Sequence, residues 1–174
     1  MDTPITEYTG RFLKLMKSGH WEYVDRVNAH NAAIILAVTA DQELLLVEQY
    51  RIPLSARTIE LPAGVIGDEP GDQNESASAA AGRELLEETG YAAGHLEALT
   101  TGPSCSGITS ERVTLFRATD LKRTGAGGGV AGEHITVHAI PLSGVSDWLT
   151  AQAQSGRLID PKVYAGLWFV KSAP

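Results

Sequence analysis

The chain has 174 residues, enough for one ordinary domain, and 43% of them are hydrophobic, which is sufficient for a packed core. Its 14 Lys and Arg against 21 Asp and Glu give a formal charge of −7, which argues against a protein that coats nucleic acid or an anionic membrane, because phosphate binding normally leaves a basic footprint. The charge does not exclude a small phosphate-bearing ligand, since a metal ion can supply positive charge locally.

The first part of the chain predicts strands. Residues 1–19 are polar and give no regular pattern, whereas four later segments are rich in aromatic and aliphatic residues: Trp21–Val27, Ala32–Val38, Leu44–Tyr50 and Thr58–Leu61. The second and third predict a hairpin of buried strands with its turn at Asp41-Gln42. The segment Val65–Asn74 contains Gly67, Pro70 and Gly71 and is predicted to be a loop.

The clearest predicted helix is Glu75–Thr89, with Asn74 as its N-cap and Gly90 just after its C-terminus. An apolar stripe recurs every four residues, at Ala77, Ala81 and Leu85. Gly82 inside a helix costs roughly 1 kcal/mol relative to alanine, so we expect close packing of this helix against a sheet.

Three more strands are predicted after this helix, at Leu96–Thr100, Val113–Ala118 and Ile135–Ile140. Between the last two, the glycine-rich segment Gly125–Gly132 is expected to form a mobile loop that does not pack. The helix Val145–Gln154 and another that begins at Asp160-Pro161 end the chain. Strands on both sides of a central helix predict a single α/β domain of the α+β type with a mixed sheet.

The acidic end of the central helix is the segment most informative about function. At about 100° per residue, Glu84, Glu87 and Glu88 share an arc of roughly 100° on one side of the helix. Such an arc can be an ordinary solvated face, but carboxylate oxygens are also the ligands that Mg²⁺ prefers. Arg83 lies four residues before Glu87 and could hold its carboxylate while the other two coordinate a cation.

This segment resembles the signature of the Nudix hydrolases. The matching positions run from Gly64 through Glu75 to Arg83-Glu84-Leu85-x-Glu87-Glu88-x-Gly90-Tyr91. The spacing departs in one place, because ten residues separate Gly64 from Glu75 and the family's spacing is usually shorter. Glu69 is the competing choice for the first glutamate, but Pro70 and Gly71 would then interrupt the start of the helix. We interpret the difference as a loop insertion beside the substrate mouth.

Three further segments are similar to the family's branch that hydrolyses ADP-ribose and nucleoside diphosphate sugars: Glu60-Leu61-Pro62-Ala63-Gly64, Glu48-Gln49-Tyr50-Arg51 and Trp21-Glu22. This resemblance implies Mg²⁺, replaceable by Mn²⁺, bound by Glu84, Glu88 and the carbonyl of Ala63, with Glu87 as an auxiliary ligand. It also implies that Glu133, after the glycine-rich segment, is a metal ligand or general base. Together with Arg83 and Glu87, Glu133 makes up the expected catalytic set.

The resemblance also implies an architecture and an activity. The fold would be a Nudix-type α/β/α sandwich, with an extra β-region at residues 1–30 that forms a homodimer and the Nudix domain at 31–174. The reaction would be attack of an activated water on the diphosphate, giving a nucleoside monophosphate and a sugar phosphate.

Four residues are candidates for substrate binding: Trp21, Arg51, Glu60 and Glu111. Arg51 follows a buried strand and could hold a phosphate through two hydrogen bonds, although a surface ion pair is the plainer reading. Trp21 could stack on a nucleobase or simply pack. In the branch a proline usually stands before the glycine of the loop that contains Glu111, and here Ser106 precedes Gly107, which leaves other nucleotide sugars open.

Other functions find less support. The rivals are a Nudix hydrolase of dinucleoside polyphosphates, coenzyme A or oxidised nucleotides, and a ligand-sensing domain without catalysis, which would typically have lost helix glutamates. His134 and His138 lie too far apart on a strand to share a metal. Cys105 is the single cysteine, which excludes an intrachain disulfide, and nothing near it in sequence supplies an activating base. No apolar stretch suits a membrane span or signal peptide, so we expect a soluble cytoplasmic protein.

Overall fold

The computed structural model describes residues 2–29, 31–67, 74–130 and 132–172. Glu69, Pro70 and Gly71 lie outside these ranges, and so does most of the predicted loop Val65–Asn74. The structure therefore describes both ends of the proposed insertion and not its middle.

Three strands near the start form a sheet of their own. They are β1 Ile5–Thr9, β2 Leu13–Ser18 and β3 Trp21–Arg26, antiparallel and in that order. The expectation that residues 1–19 are irregular is therefore wrong. Every residue of β1 is exposed, so the sequence has no buried alternation that would mark the strand, although Thr, Tyr and Ile favour this conformation.

Two four-stranded sheets make up the centre of the protein. Their strands are β4 Asn31–Ala37, β5 Glu43–Arg51, β6 Ala56–Glu60, β7 Ala63–Val65, β9 His95–Pro103, β10 Arg112–Thr119, β12 Thr136–Pro141 and β13 Leu158–Ile159. The orders are β7-β4-β10-β9 and β12-β5-β6-β13. Both sheets are mixed, since β4 runs parallel to β10 and β6 parallel to β13. The short strands β8 Tyr91–Ala92 and β11 Lys122–Arg123 pair beside them.

The predicted hairpin of β4 and β5 is not formed. The two strands share a single bridge, Val38 with Leu44, and then diverge into different sheets. Both strands are buried along most of their length and find full-length partners elsewhere, β10 for β4 and β12 for β5. The turn was correctly placed, with Gln42 at a φ of 58°.

Three α-helices complete the described structure: α1 Ala77–Thr89, α2 Val145–Gln154 and α3 Pro161–Lys171. The N-cap of α1 is Ser76 rather than Asn74, because the Ser76 hydroxyl accepts a hydrogen bond from the Ala79 amide at 3.2 Å. The helix thus begins two residues later than predicted. Its end at Gly90 (φ +76°) is as predicted, and Asp160 caps the N-terminus of α3.

The helices cover opposite sides of the sheets, which confirms the α/β/α sandwich. Ala81 and Leu85 of α1 are fully buried in a core with the inward residues of β4, β5 and β10. Leu149 of α2 and Val163 of α3 belong to the core on the other side. A side chain at Gly82 would lie 3.4 Å from Leu96, as close packing predicts. None of the described helices is both long and apolar enough to cross a bilayer.

Candidate active site

Arg83 organises the acidic face of α1. One of its terminal nitrogens, Nη1, lies 2.9 Å from Glu84 and 3.2 Å from Glu87, which confirms the expected contact with Glu87. Its Nε donates to Glu75 at 3.1 Å, and this bond lowers the pKa of the Glu75 carboxyl. A single guanidinium therefore neutralises part of the charge of three carboxylates and fixes their positions.

Gly64 allows β7 to approach α1 closely enough for this arrangement. A Cβ atom at Gly64 would come within 1.8 Å of the Glu84 side chain, a distance that no real contact tolerates. The glycine of the signature is thus required by contact between two elements rather than by an unusual backbone angle.

Glu88 is the buried member of the acidic set. It is only 4% exposed, and its Oε2 accepts a hydrogen bond from the Ala63 amide at 3.0 Å. Burial raises the pKa of Glu88 to about 8, and the negative charges of Glu84 and Glu133 add to the effect. The carboxylate form is therefore unfavourable in the folded protein unless positive charge balances it.

The donor chemistry of this site suits a hard divalent cation. The residues that could hold it offer only oxygens: the carboxylates of Glu84, Glu87 and Glu88 and the carbonyl of Ala63. In the described ranges no three His, Cys, Asp or Glu side chains lie close enough to form a ready metal cage. The hydrogen bonds within the site explain this, because Arg83 holds Glu84 and Glu87 and the Ala63 amide holds Glu88.

The glycine-rich segment lies against the end of α1, so the expectation that it does not pack is wrong. The amides of Gly128 and Gly129 donate to the carbonyls of Glu88 and Glu87 at 2.8 and 3.0 Å. Glu133 follows this contact and is exposed, and its Oε2 accepts from the Val130 amide at 3.0 Å. The last carbonyls of a helix need hydrogen-bond donors from outside the helix. The sequence does not show which distant segment supplies them, so this docking was not predicted.

Arg51 and Glu60 form a close ion pair at the ends of β5 and β6. Two Arg51 nitrogens lie 2.7 and 2.6 Å from the two Glu60 oxygens, and Thr58 also donates to Glu60. Burial raises the pKa of Glu60, but the bonds from Arg51 and Thr58 outweigh it and hold the pKa below its usual value. Glu60 thus orients Arg51, and the expected ion pair is present, while the role of Arg51 in substrate binding stays a prediction.

This pair lines a cavity of about 590 Å³. Its walls also include residues that the sequence analysis did not assign to the site: Pro53, Leu54, Leu158, Ile159, Asp160, Pro161 and Lys162. The hydrogen bonds to Glu60 raise the pKa of Arg51, and the negative charge of Glu88 adds to this effect, so the cavity lies within electrostatic reach of the acidic helix. The sequence hinted at this wall only through Asp160-Pro161, which marks the start of a helix. Such a cap does not reveal which surface the helix faces.

Glu111 and Trp21 are associated with the N-terminal sheet. Glu111 accepts from Arg26 of β3 at 2.6 Å, which ties this sheet to the loop before β10. Trp21 is 53% exposed and meets the ring of His20 edge-on, 6.4 Å between centroids. Such exposure favours an accessible ring over the packing role.

A buried cluster that the sequence missed lies on the far side of β5. Glu48, 5% exposed, accepts from His138 and from Arg157, both at 3.0 Å. His138 was interpreted as an ordinary sheet residue, and it does lie in β12, whereas His134 precedes that strand. Glu48 was noted only as part of a motif, because nothing in sequence links it to residues 90 and 109 positions away.

Comparisons with known proteins agree with this geometry. A family model described as the NUDIX domain matches residues 28–158. The ADP-ribose pyrophosphatase of Bacillus subtilis (strain 168) is 38% identical over 90 residues, 52% of this chain and 46% of that protein. The uridine diphosphate glucose pyrophosphatase NUDT14 of Mus musculus is 37% identical over 156 residues, 84% of this chain and 66% of that protein. The chain thus spans less than two thirds of either relative.

A solved structure described as an ADP compounds hydrolase superposes with a TM-score of 0.72, covering 97% of this chain and 90% of that one. At 22% identity this likeness establishes the fold. The family match covers most of the chain and includes the glutamates of α1, Gly64 and the glycine-rich segment. The chain belongs to the Nudix family.

Proposed function

We propose that the protein hydrolyses the diphosphate bond of ADP-ribose or a related nucleoside diphosphate sugar, giving a nucleoside monophosphate and a sugar phosphate. The observation that carries the proposal is the buried carboxylate of Glu88, which has Glu84 and Glu133 within electrostatic reach and the Arg51 cavity nearby. The names of the two relatives support this substrate class.

A divalent metal, Mg²⁺ with Mn²⁺ able to replace it, is part of this proposal. Glu84, Glu88 and the Ala63 carbonyl would hold it, with Glu87 as an auxiliary ligand. When bound, the metal would balance the charge of the phosphate oxygens and make water a better nucleophile. All-oxygen donors and the unfavourable charge on Glu88 support this choice of ligand.

The protein's own groups have separate roles in the proposed reaction. Arg83 keeps Glu84 and Glu87 in place, so that they meet the substrate already oriented. Glu60 holds Arg51 through two nitrogens, which aims the guanidinium along the cavity wall where a phosphate or sugar would lie. Glu133 accepts the proton released by the attacking water, or serves as a further metal ligand.

The proposed function is tested by hydrolysis of a substrate panel. ADP-ribose, UDP-glucose, GDP-mannose, a dinucleoside polyphosphate and coenzyme A are incubated with Mg²⁺ and a phosphatase that releases phosphate from the products. We expect EDTA-sensitive cleavage of ADP-ribose or a nucleotide sugar, and a loss of about 100-fold or more in kcat/KM for Glu88→Gln. Glu97→Gln, which removes an exposed carboxylate of β9, is the matched control and keeps activity.

Other outcomes contradict the proposal in different ways. Preferential cleavage of the dinucleoside polyphosphate or coenzyme A would overturn the substrate class and keep the metal site. Full activity of Glu88→Gln would show that the reaction does not depend on the acidic face of α1. Binding without turnover would indicate a ligand-sensing domain.

We also propose that residues 1–30 form a homodimerisation element beside a Nudix domain at 31–174, in a cytoplasmic protein. The support is the apolar exposure of the N-terminal sheet, where Tyr8 and Phe12 are 68% and 67% exposed. Exposed apolar side chains of this kind are typical of a surface that another chain covers.

A further inference from the structure

The C-terminal end of α1 is completed by a segment distant in sequence. The last carbonyls of a helix lack intrahelical donors. Here the Glu87, Glu88 and Gly90 carbonyls accept from the amides of Gly129, Gly128 and Gly125, respectively, at 3.0, 2.8 and 3.1 Å. The end of the helix and the glycine-rich segment are therefore one hydrogen-bonded unit.

Two glycines leave space for different parts of this unit. A Cβ at Gly127 would come within 2.4 Å of the backbone of Thr89, so Gly127 lets the segment reach the helix. A Cβ at Gly129 would come within 2.4 Å of the Glu133 carboxylate and 2.9 Å of its Cβ. Gly129 therefore leaves the space that the Glu133 side chain occupies.

Glu133 is joined to α1 by an unbroken series of contacts. The Gly129 amide binds the Glu87 carbonyl, and the next amide, that of Val130, binds the Glu133 carboxylate at 3.0 Å. The Glu133 amide in turn donates to the Val130 carbonyl at 3.0 Å. On the far side the Ile135 amide donates to the Gly128 carbonyl at 3.4 Å, and Ile135 is buried. The segment is thus anchored before and after Glu133.

We propose that Gly129 is a positioning residue for hydrolysis, which sets where the Glu133 carboxylate lies relative to Glu88. The inference rests on the proposed function. Its physical basis is that Gly129 is bonded to the acidic helix on one side and in contact with Glu133 on the other, so any side chain there moves Glu133. A displacement of about 1 Å in a catalytic group can cost on the order of 100-fold in rate.

The test compares Gly129→Ala with Gly156→Ala. Both glycines have a similar positive φ, +84° and +90°, so alanine strains the backbone at either site. A Cβ at Gly156 has no atom within 4 Å, in the turn between α2 and β13. We expect Gly129→Ala to lower kcat about 100-fold with little change in KM, measured below the melting temperature of each variant, and Gly156→Ala to keep kcat.

A double variant shows whether Gly129 acts through Glu133. If it does, Gly129→Ala combined with Glu133→Gln is no slower than Glu133→Gln alone, because the group being displaced is already gone. If instead the loss of kcat in the double variant equals the product of the losses in the two single variants, the inference is overturned. Hydrogen exchange gives a readout independent of turnover: we expect faster exchange over residues 124–130 in Gly129→Ala, while the first turn of α1 is unchanged.

The inference and the proposed function fail differently. An active wild-type protein with an equally active Gly129→Ala variant overturns the positioning role alone. A wild-type protein that cleaves no substrate of the panel overturns the proposed function, and the positioning role with it.

Discussion

The burial of Glu88 sets it apart from its neighbours on the same helix. Helical periodicity places Glu84, Glu87 and Glu88 in one arc, and the sequence could predict that arc because the angle per residue is fixed. It could not predict depth, since Glu88 lies beneath β7, where the Ala63 amide meets it. Depth depends on which strand covers the helix, and that is decided by tertiary packing.

Glu88→Gln is expected to change how stability depends on pH. With a folded-state pKa of about 8 against an ordinary 4.5, metal-free folded protein binds a proton that unfolded protein releases between these values. The free energy of unfolding of the wild type therefore falls as pH rises from 4.5 to 8. The glutamine of the variant does not titrate, so its free energy of unfolding does not fall in this way. Between pH 4.5 and pH 8 the variant should therefore gain a few kcal/mol of stability relative to the wild type.

Urea unfolding in EDTA at several pH values measures this difference. Glu97→Gln on β9 is the control, because its carboxylate is exposed, and its curve should parallel that of the wild type. Parallel curves for Glu88→Gln as well would show that burial of Glu88 does not raise its pKa.

The pairing of Arg51 with Glu60 illustrates a second limit of sequence reasoning. Both residues were predicted to bind substrate, and each lies near the end of a strand, as expected. Their contact depends on the register of β5 and β6, in which Arg51 lies opposite Ala56 and Glu60 opposite Val47. A register cannot be read from two short apolar runs, so the ion pair was only one of the alternatives.

The cluster around Glu48 joins several elements behind the active site. Glu48 belongs to β5 and His138 to β12, while Arg157 precedes β13 and Arg57 of β6 lies 3.5 Å away. The ring of Trp148 from α2 lies 5.0 Å from that of His138. The Glu48 carboxylate therefore links β5 to β6, to β12 and to the segment before β13, and we expect it to stabilise the fold.

Glu48→Gln is expected to lower the free energy of unfolding by about 2 kcal/mol at pH 7. Burial raises the pKa of Glu48, but the bonds from His138 and Arg157 outweigh it and leave the pKa below 4.5. The carboxylate therefore stabilises the fold above its ordinary pKa, and this contribution is lost as pH falls through the folded-state pKa. The difference between wild type and variant should shrink as the pH falls below 4.5, the ordinary pKa of a glutamate.

Chemical denaturation at pH 7 and pH 3 checks this expectation. Asp41→Asn in the exposed turn before β5 is the control and should have little effect at either pH. A difference between wild type and Glu48→Gln that stays constant with pH would contradict the role of the charge.

Among the elements, those with a strong buried pattern were predicted well. Strands β4, β5 and β10 and helix α1 begin and end within two residues of their expected limits, since their apolar residues face a core. Strands β1, which is exposed, and β2, which is only partly buried, were missed because none of their residues lies in a buried core. The partner of β4 was wrong because a run buried on both faces does not indicate which strand lies beside it.

The N-terminal sheet is attached to the rest of the protein along one strand. The Val24 amide donates to the Ile108 carbonyl at 2.8 Å, and Arg26 binds Glu111. Strand β1 lies at the far edge, with its side chains exposed. This arrangement leaves one edge and the apolar side chains of the sheet available to a second copy of the chain.

Tyr8→Ser combined with Phe12→Ser is expected to weaken the proposed dimer at least about 100-fold, because burial of large aromatic side chains dominates such interfaces. Sedimentation velocity over a range of concentrations measures the dissociation constant. Trp168→Ser on α3 is the matched control, with a ring that is 62% exposed, and should leave the dimer intact. A wild-type protein that sediments as a monomer at every concentration would refute dimerisation.

The parallel pairing of β4 with β10 has a consequence for synthesis on the ribosome. Strand β4 lies between β7 and β10, and β6 lies between β5 and β13, so each sheet is completed by a strand made much later. A nascent chain that ends before Arg112 exposes the apolar residues of β4 without their neighbour. Its folding must therefore wait for residues far along the chain, and during translation these strands are natural targets for chaperones.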